Sequence, residues 1–386
     1  MRILHVLPTY LPAVRYGGPI YSVHALCRAL ADRGHDVHVY TTNVDGEGVA
    51  DVPLAEPVVL DGVKISYFPC SLARRLYHSP TMVRAIQANA TKFDFFHLHS
   101  VFVWPTLAAA RVARGANVPY VLSPRGMLVA DLIERKNWLL KTAWIRLFER
   151  TNVAGASAIH ATSDLEQAEL VKLDIPAQRV VIIPNGIDLP NNMRTIRQPA
   201  ISQNPYVLSL GRINWKKGID RLIKAMAYVP NAELLIAGND EESYQPALEN
   251  MVRELGLSER VHFLGPVRGE EKWNLIRSAA LCALASHSEN FGMVALEAMA
   301  YGCPVAVTPQ VGLACAISKA GAGVVVDGDA EGIGAAISEL VSDPVRRKLM
   351  GEAGSKLASQ SYAWPRIAEQ MEQLYESCME ERTERA

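Results

Sequence analysis

Short apolar runs that read as buried strands alternate with segments of helical period, and the alternation passes through the chain twice. Strand, helix, strand in succession makes a parallel pair with a crossover, so each half is constrained to a parallel sheet covered by helices. In the first half the spacing predicts strands over 3–7, 36–41, 63–68, 93–98, 119–122, 158–161 and 180–183. Helices are predicted there over 20–33, closed by Gly34, and over 81–89 and 105–114. The second half restarts with strands over 206–210, 233–237, 261–264, 281–285, 305–308 and 323–326, then a helix over 330–341. The 386 residues exceed one ordinary core. The expected fold class is α/β, with two Rossmann-like domains whose parallel sheets face a central cleft. Residues 1–185 form the first domain, 186–205 a linker rich in Asn, Pro, Gln and Ser, and 206–362 the second domain. A charged amphipathic helix over 363–386 closes the chain.

Two carboxylates stand out against this frame, in Ser286-His-Ser-Glu289-Asn290-Phe291-Gly292-Met293-Val294-Ala-Leu-Glu297. On one ideal helix they would share a face roughly 12 Å apart along the axis. If the helix instead starts after Gly292, Glu289 lies just before its N-terminus and Glu297 inside it. The backbone N–H groups from Asn290 to Val294 then make an anion site flanked by two hydroxyl-binding carboxylates. A nucleotide sugar offers a diphosphate, a ribose diol and sugar hydroxyls to such a site. Glu289 also follows a strand, and open parallel sheets bind ligands at the carboxyl ends of their strands. Alone, the pair reads equally as a capping residue and a solvated helix carboxylate.

These residues resemble the signature of the retaining glycosyltransferases of family 4, which have the GT-B fold. Other segments agree, in the family's order: Tyr16-Gly17-Gly18-Pro19, Asp94-Phe-Phe-His97-Leu-His99, Pro184-Asn185-Gly186-Ile-Asp188, and Gly211-Arg212 followed by Lys217-Gly218. Ser123-Pro124-Arg125-Gly126-Met127 is similar to a segment of bacterial polysaccharide-assembly members.

The resemblance implies transfer of a hexosyl group from a nucleotide-diphosphate sugar to a glycan or lipid-linked glycan, with retention of configuration. Arg212 and Lys217 would meet the diphosphate, as a planar fork and a point charge, in place of a metal. Glu289 would contact the donor sugar, Glu297 the ribose, and the backbone of Asn290, Phe291 and Gly292 the sugar and phosphate. His99 would reach the donor sugar across the cleft, while His97 reads as structural. Gly17 and Gly18 allow close backbone approach to a ligand. Arg125 is a candidate for an acceptor or a phosphate, and a structural salt bridge is an equal reading. The C-terminal helix would cross back to the first domain.

Several classes are disfavoured. The glycine loop is not Gly-x-Gly-x-x-Gly, which argues against a nicotinamide cofactor. No Asp-x-Asp pair stands at a strand end, and no cofactor or metal is expected. Six scattered cysteines without Cys-x-x-Cys spacing fit a reducing cytosol. No apolar run approaches a membrane span, and no nucleic-acid partner is expected. Residues 1–185 carry 19 Lys/Arg against 15 Asp/Glu, and the remainder 20 against 25. A mildly basic first half suits an anionic acceptor or membrane, though chance allows the same unevenness. Residues 132–150 mix aromatics and cations and read either as a core-packed helix or as a surface for peripheral association with the inner membrane. A catalytically silent nucleotide-sugar-binding subunit and a GT-B epimerase or phosphorylase are the alternatives.

Overall fold

The structure, a computed structural model, describes residues 1–14, 17–54, 56–70, 73–135, 138–190, 204–240 and 242–383. Tyr16 and most of the expected linker (191–203) lie outside the described residues.

The chain divides into two compact units, Met1–Gly186 with Trp364–Ala386, and Ile187–Ala363. The first contains β1 (Arg2–Val6), β2 (Asp36–Thr42), β3 (Val44–Asp45), β4 (Gly48–Val49), β5 (Val58–Leu60), β6 (Val63–Phe68), β7 (Phe95–His99), β8 (Tyr120–Ser123), β9 (Ala158–Ala161) and β10 (Val180–Ile182). Its main sheet has the order β10-β9-β8-β7-β1-β2-β6-β5. The pairs are parallel except β5 with β6. Strands β3 and β4 form a separate antiparallel ribbon. The sequence reading passed over β3, β4 and β5; β3 and β4 have two residues each, too few to show a period.

Period-2 alternation sends each strand's side chains into two cores. Ile3, Phe95, Val121 and Ala158 pack into the core that holds the helix Gly18–Asp32. Leu4, Val6, Phe96, Leu98, Leu122 and Ile159 pack into the other. The terminal helix Trp364–Thr383 belongs to the first core, where Ile367, Ala368, Met371, Leu374 and Tyr375 are buried. His5, His97, His99, Ser123 and His160 share strand parity with Ile3, Phe95, Val121 and Ala158, so they face the same side as that helix.

The second unit contains β11 (Tyr206–Leu210), β12 (Glu233–Ala237), β13 (Val261–Gly265), β14 (Leu281–Leu284), β15 (Val305–Val307) and β16 (Gly323–Val325). All its pairs are parallel, in the order β13-β12-β11-β14-β15-β16. Strand order reverses between β11 and β14, and the crevice at such a switch point is where parallel sheets take ligands.

Residues 130–154 are helical in pieces: Ala130–Arg135, Trp138–Trp144, a π-helical stretch Ile145–Glu149, and Arg150–Ala154. The wider turn shifts the face by a residue, which blurs any single period through the segment. Lys136 and Asn137 lie outside the described residues.

Met371, with no exposed surface, lies in the core that also holds Ile3, Val37 and Val39 of β1 and β2. Met371→Ala is expected to destabilise the first unit by about 2–5 kcal/mol, seen as a lower urea midpoint than wild type.

Candidate functional site

In the second unit, the site is built at the carboxyl ends of β11 and β14. The chain leaves β11 through Gly211 and Arg212, then makes a 3-10 turn, Trp215–Lys217. Gly218 follows at φ +61°, and a Cβ on it would stand 1.9 Å from the carbonyl oxygen of Ala285. Only glycine permits that backbone contact. The His287 N–H donates to the Lys216 carbonyl at 2.7 Å, which joins the turn to the loop after β14. The backbone of Lys216 is thus part of this seam.

That seam brings Lys217 Nζ into an ion pair with Glu289 Oε2. Glu289 is outside the helix: its N–H donates to the Gln310 carbonyl, and its own carbonyl accepts from Gly312, both at 3.0 Å. Glu289 and Glu297 therefore do not share one helical face. Gly292, at φ +100°, caps the helix Met293–Ala300, and a Cβ on it would lie 2.7 Å from Val311 Cγ1. Phe291 is buried, and Asn290 is half-buried at the turn. Met293 and Val294 supply first-turn N–H groups, which have no acceptor within a helix.

Glu297 lies one turn into this helix, with Oε1 2.6 Å from Lys272 Nζ. Lys272 is carried by the helix Gly269–Ser278. An open recess with about 240 Å³ of empty space is lined by Ser209, Gly211, Arg212, Lys217 and Ser286, with apolar residues of β11 and β14 behind them. Ser286 is fully buried, and its hydroxyl has no partner among the described residues. Cations and an unpartnered hydroxyl at a switch point are chemistry suited to a polyanion.

In the first unit, Gly17 caps the helix Gly18–Asp32 and has φ +74°. A Cβ on Gly18 would meet nothing within 4 Å, so packing does not require glycine there. Arg125 sits just past β8 in the left-handed region, φ +57°. Its Nη1 donates to Asn185 Oδ1 at 3.0 Å, and Nε and Nη2 point at His99 Nδ1 at 3.4 and 3.3 Å. No carboxylate among the described residues forms an ion pair with Arg125, so the salt-bridge reading is not what the structure shows. His99 is the last residue of β7, and it is buried. Both of its nitrogens are engaged, Nε2 at 3.0 Å from His5 Nδ1.

A second chain of bonds runs beside it. His160 Nε2 lies 2.8 Å from the carbonyl of Ile183, so this nitrogen donates. The other nitrogen of a neutral imidazole then accepts, and it takes the Ser123 hydroxyl at 2.7 Å. Ser123 accepts from His97 Nε2 at 2.7 Å, and His97 Nδ1 accepts from the Tyr375 hydroxyl at 2.6 Å. One backbone carbonyl thus sets the direction of the whole chain. By the same logic Arg125 makes His99 Nδ1 an acceptor, so His99 donates to His5 and His5 Nε2 is left a buried donor without a partner. Burial, with the Arg125 charge, lowers His5 and His160 to about 3, and burial with neighbouring cations holds His97 and His99 well below the usual imidazole range.

The ligand atoms of His5, His97 and His99 lie within 4.8 Å of one another, close enough to consider a metal ion. His97 and His99 have both nitrogens committed, so the cluster fits a hydrogen-bonded network better than a metal site.

Two family models cover most of the chain: a glycosyl transferase 4-like domain over residues 17–186 and glycosyl transferases group 1 over 193–357. A D-inositol 3-phosphate glycosyltransferase of Arthrobacter sp. is 30% identical over 392 residues, covering 95% of this chain and 91% of that one. The chain belongs to the family 4-type glycosyltransferases. An uncharacterized glycosyltransferase of Methanocaldococcus jannaschii is 27% identical over 98% of the chain and 99% of its own length. The fold matches sucrose-phosphate synthase of Thermosynechococcus elongatus, with TM-score 0.78 and 23% identity over 98% of this chain and 99% of that one. It also matches HepE of Anabaena, solved with UDP and glucose, with TM-score 0.74 and 20% identity over 98% and 100%. The glycosyltransferase therefore has the GT-B fold.

The sequence reading of this glycosyltransferase missed Lys272 and the His5–His160 network, and it quoted Ser286 and Asn185 within motifs without giving either a role. Lys272 carried one legible signal: a cation in the first turn sits at the wrong end of the helix dipole and calls for a local partner. The others are ordinary residues until the fold collects them.

The buried neutral histidines make stability depend on pH. Their folded pKa values lie below the unfolded value near 6.5, so their contribution is fully present above about 6.5 and is lost as pH falls toward 3. Each such group is expected to remove about 1.4 kcal/mol per pH unit inside that window. Unfolding midpoints from pH 7.5 to 4.5 should fall steeply below about 6.5, and a flat profile would contradict the assigned neutral network.

Proposed function

We propose that this glycosyltransferase moves a hexosyl group, with retention, from a nucleotide-diphosphate sugar to a glycan or lipid-linked glycan in surface-polysaccharide assembly. The observation that carries the reading is the Lys217–Glu289 pair at the β11/β14 switch point. It sets a cation for the diphosphate beside a carboxylate for sugar hydroxyls. HepE has been solved with UDP-glucose, which supports a donor of this class, and the GT-B relative WaaG is described as acting in lipopolysaccharide biosynthesis.

In this reading Arg212 and Lys217 neutralise charge on the departing diphosphate, which needs no metal ion. Glu289 accepts from the donor sugar, Glu297 from the ribose, and the Asn290–Val294 backbone faces sugar and phosphate. The acceptor oxygen bonds to the anomeric carbon on the face from which the phosphate oxygen leaves. The acceptor proton passes to that phosphate oxygen. Arg125 is proposed for an anionic acceptor group, with Gly17 and Gly18 giving backbone access. His99 holds the Arg125 guanidinium, and for His99 to touch the donor sugar directly it must exchange one of its two hydrogen bonds.

Melting temperatures with UDP, GDP, ADP and TDP, with and without EDTA, test the donor site. One nucleotide should stabilise the wild type by several degrees, unchanged by EDTA, and stabilisation should vanish in Arg212→Ala and Glu297→Ala. No stabilisation by any nucleotide would leave the partner-dependent subunit as the better reading.

A cytoplasmic site of action with peripheral membrane contact is part of the proposal. No helix among the described residues is long and apolar enough to cross a membrane, and all six cysteines are free. In residues 132–150, Trp144 is tied to the buried Glu149 and Ile145 is buried. Trp138, Leu139, Leu140 and Leu147 are instead 55%, 64%, 74% and 68% exposed, beside Arg135 and Arg146. Apolar side chains flanked by cations suit an anionic lipid surface. Co-sedimentation with phosphatidylglycerol vesicles should exceed that with phosphatidylcholine and be lost in the double variant Leu139→Glu, Leu140→Glu; equal recovery with both lipids counts against it.

A further inference from the structure

The second unit pairs a lysine with a glutamate twice. Lys217 holds Glu289 Oε2, and Lys272 holds Glu297 Oε1. In each case the other carboxylate oxygen has no partner among the described residues. Side chains at both pairs are only partly exposed, 23% and 19% for the first and 20% and 15% for the second.

The second pair is held rigidly. Trp273, next to Lys272, stacks on Tyr301 at the end of the Glu297 helix, with centroids 4.7 Å apart and planes 16° from parallel. Lys272 Nζ lies 4.5 Å from the centre of the Trp273 ring, and the Arg277 guanidinium lies 5.5 Å from that of Tyr301. The aromatic stack clamps the helix Gly269–Ser278 to the helix Met293–Ala300, so Lys272 and Glu297 are carried on elements fixed against each other. A lysine pinned between a ring face and a carboxylate loses much of its rotamer freedom before any ligand arrives.

We infer that Lys272 is a positioning residue for Glu297: it occupies one carboxylate oxygen and aims the other at the hydroxyls of a nucleotide ribose, so that the pair sets the enzyme's preference for a ribose diol. This rests on the reading of Glu297 as the ribose-binding carboxylate. Without Lys272 the carboxylate keeps its charge but not its direction, and a hydroxyl loses a preoriented, charge-assisted partner. The loss should fall on ligands that own the hydroxyls and spare those that lack them. A merely structural lysine would weaken both alike.

Calorimetric titration of each ribonucleoside diphosphate (UDP, GDP, ADP) and its 2′,3′-dideoxy counterpart decides the matter, on wild type, Lys272→Met, Lys272→Arg and Glu297→Gln. The ligand-free melting temperature of each variant reports folding. In the wild type the diol form should bind about tenfold or more tightly than the dideoxy form. Lys272→Met should erase most of that ratio by weakening the diol form alone, and Lys272→Arg should recover part of it. If Lys272→Met keeps the ratio while Glu297→Gln abolishes it, Lys272 does not position the carboxylate, and the proposal fails with the ribose assignment intact. If Glu297→Gln also keeps the ratio, or no diphosphate binds, the ribose assignment itself falls and takes this proposal with it.

Discussion

The backbone of Gly218 lies against the carbonyl of Ala285, and the proposed donor site of this glycosyltransferase depends on that contact. Any side chain at 218 would collide with the strand-end carbonyl. With glycine there, the turn after β11 closes on the loop after β14, and Lys217 reaches Glu289, 72 positions further along the chain. The parallel sheet makes this possible, because crossover connections put the carboxyl ends of all its strands on one edge. A cation and a carboxylate that are remote in sequence become neighbours without any local element having to bend.

The first unit works by a different constraint. The central strands of its sheet are buried on both faces, so polar residues on them are satisfied chiefly by one another, with His5 Nε2 the exception in this network. Five of them, on four strands, fall on the side covered by the terminal helix. Their tautomers are ordered by two fixed ends, the Ile183 carbonyl and the Arg125 guanidinium. Tyr375 joins the helix to this network with its hydroxyl. The network therefore locks the terminal helix in place chemically as well as by apolar packing, and it holds Arg125 by an imidazole rather than a carboxylate. A guanidinium held by neutral groups keeps its charge available to an anion.

Much of the site was legible. The Gly-Arg/Lys-Gly turn, the Glu289 and Glu297 spacing, and the start of a helix after Gly292 are local features, written in contiguous residues with turn and cap chemistry. Lys272 showed only as a cation at the wrong end of a helix dipole, and Ser286 took no role, because nothing in its neighbourhood distinguishes it from a core residue. His99 was legible as a residue but not in its surroundings: strand parity places it near His97, yet its bonds to His5 and Arg125 come from other strands. The two-residue strands β3 and β4 and the π-helical stretch escaped because they carry no readable period.

By itself, the sequence determined two parallel sheets with crossover helices, since apolar runs of strand length separated by helical segments permit little else. It also determined the residue types at the candidate site, because a glycine in a left-handed turn or a carboxylate before a helix is a local requirement. Tertiary structure decided the pairings: Lys217 with Glu289, Lys272 with Glu297, Arg125 with His99, and Tyr375 with His97. Those contacts depend on which strands lie side by side and in what register. Strand order in a parallel sheet is set by the packing of the whole core rather than by any contiguous stretch of chain.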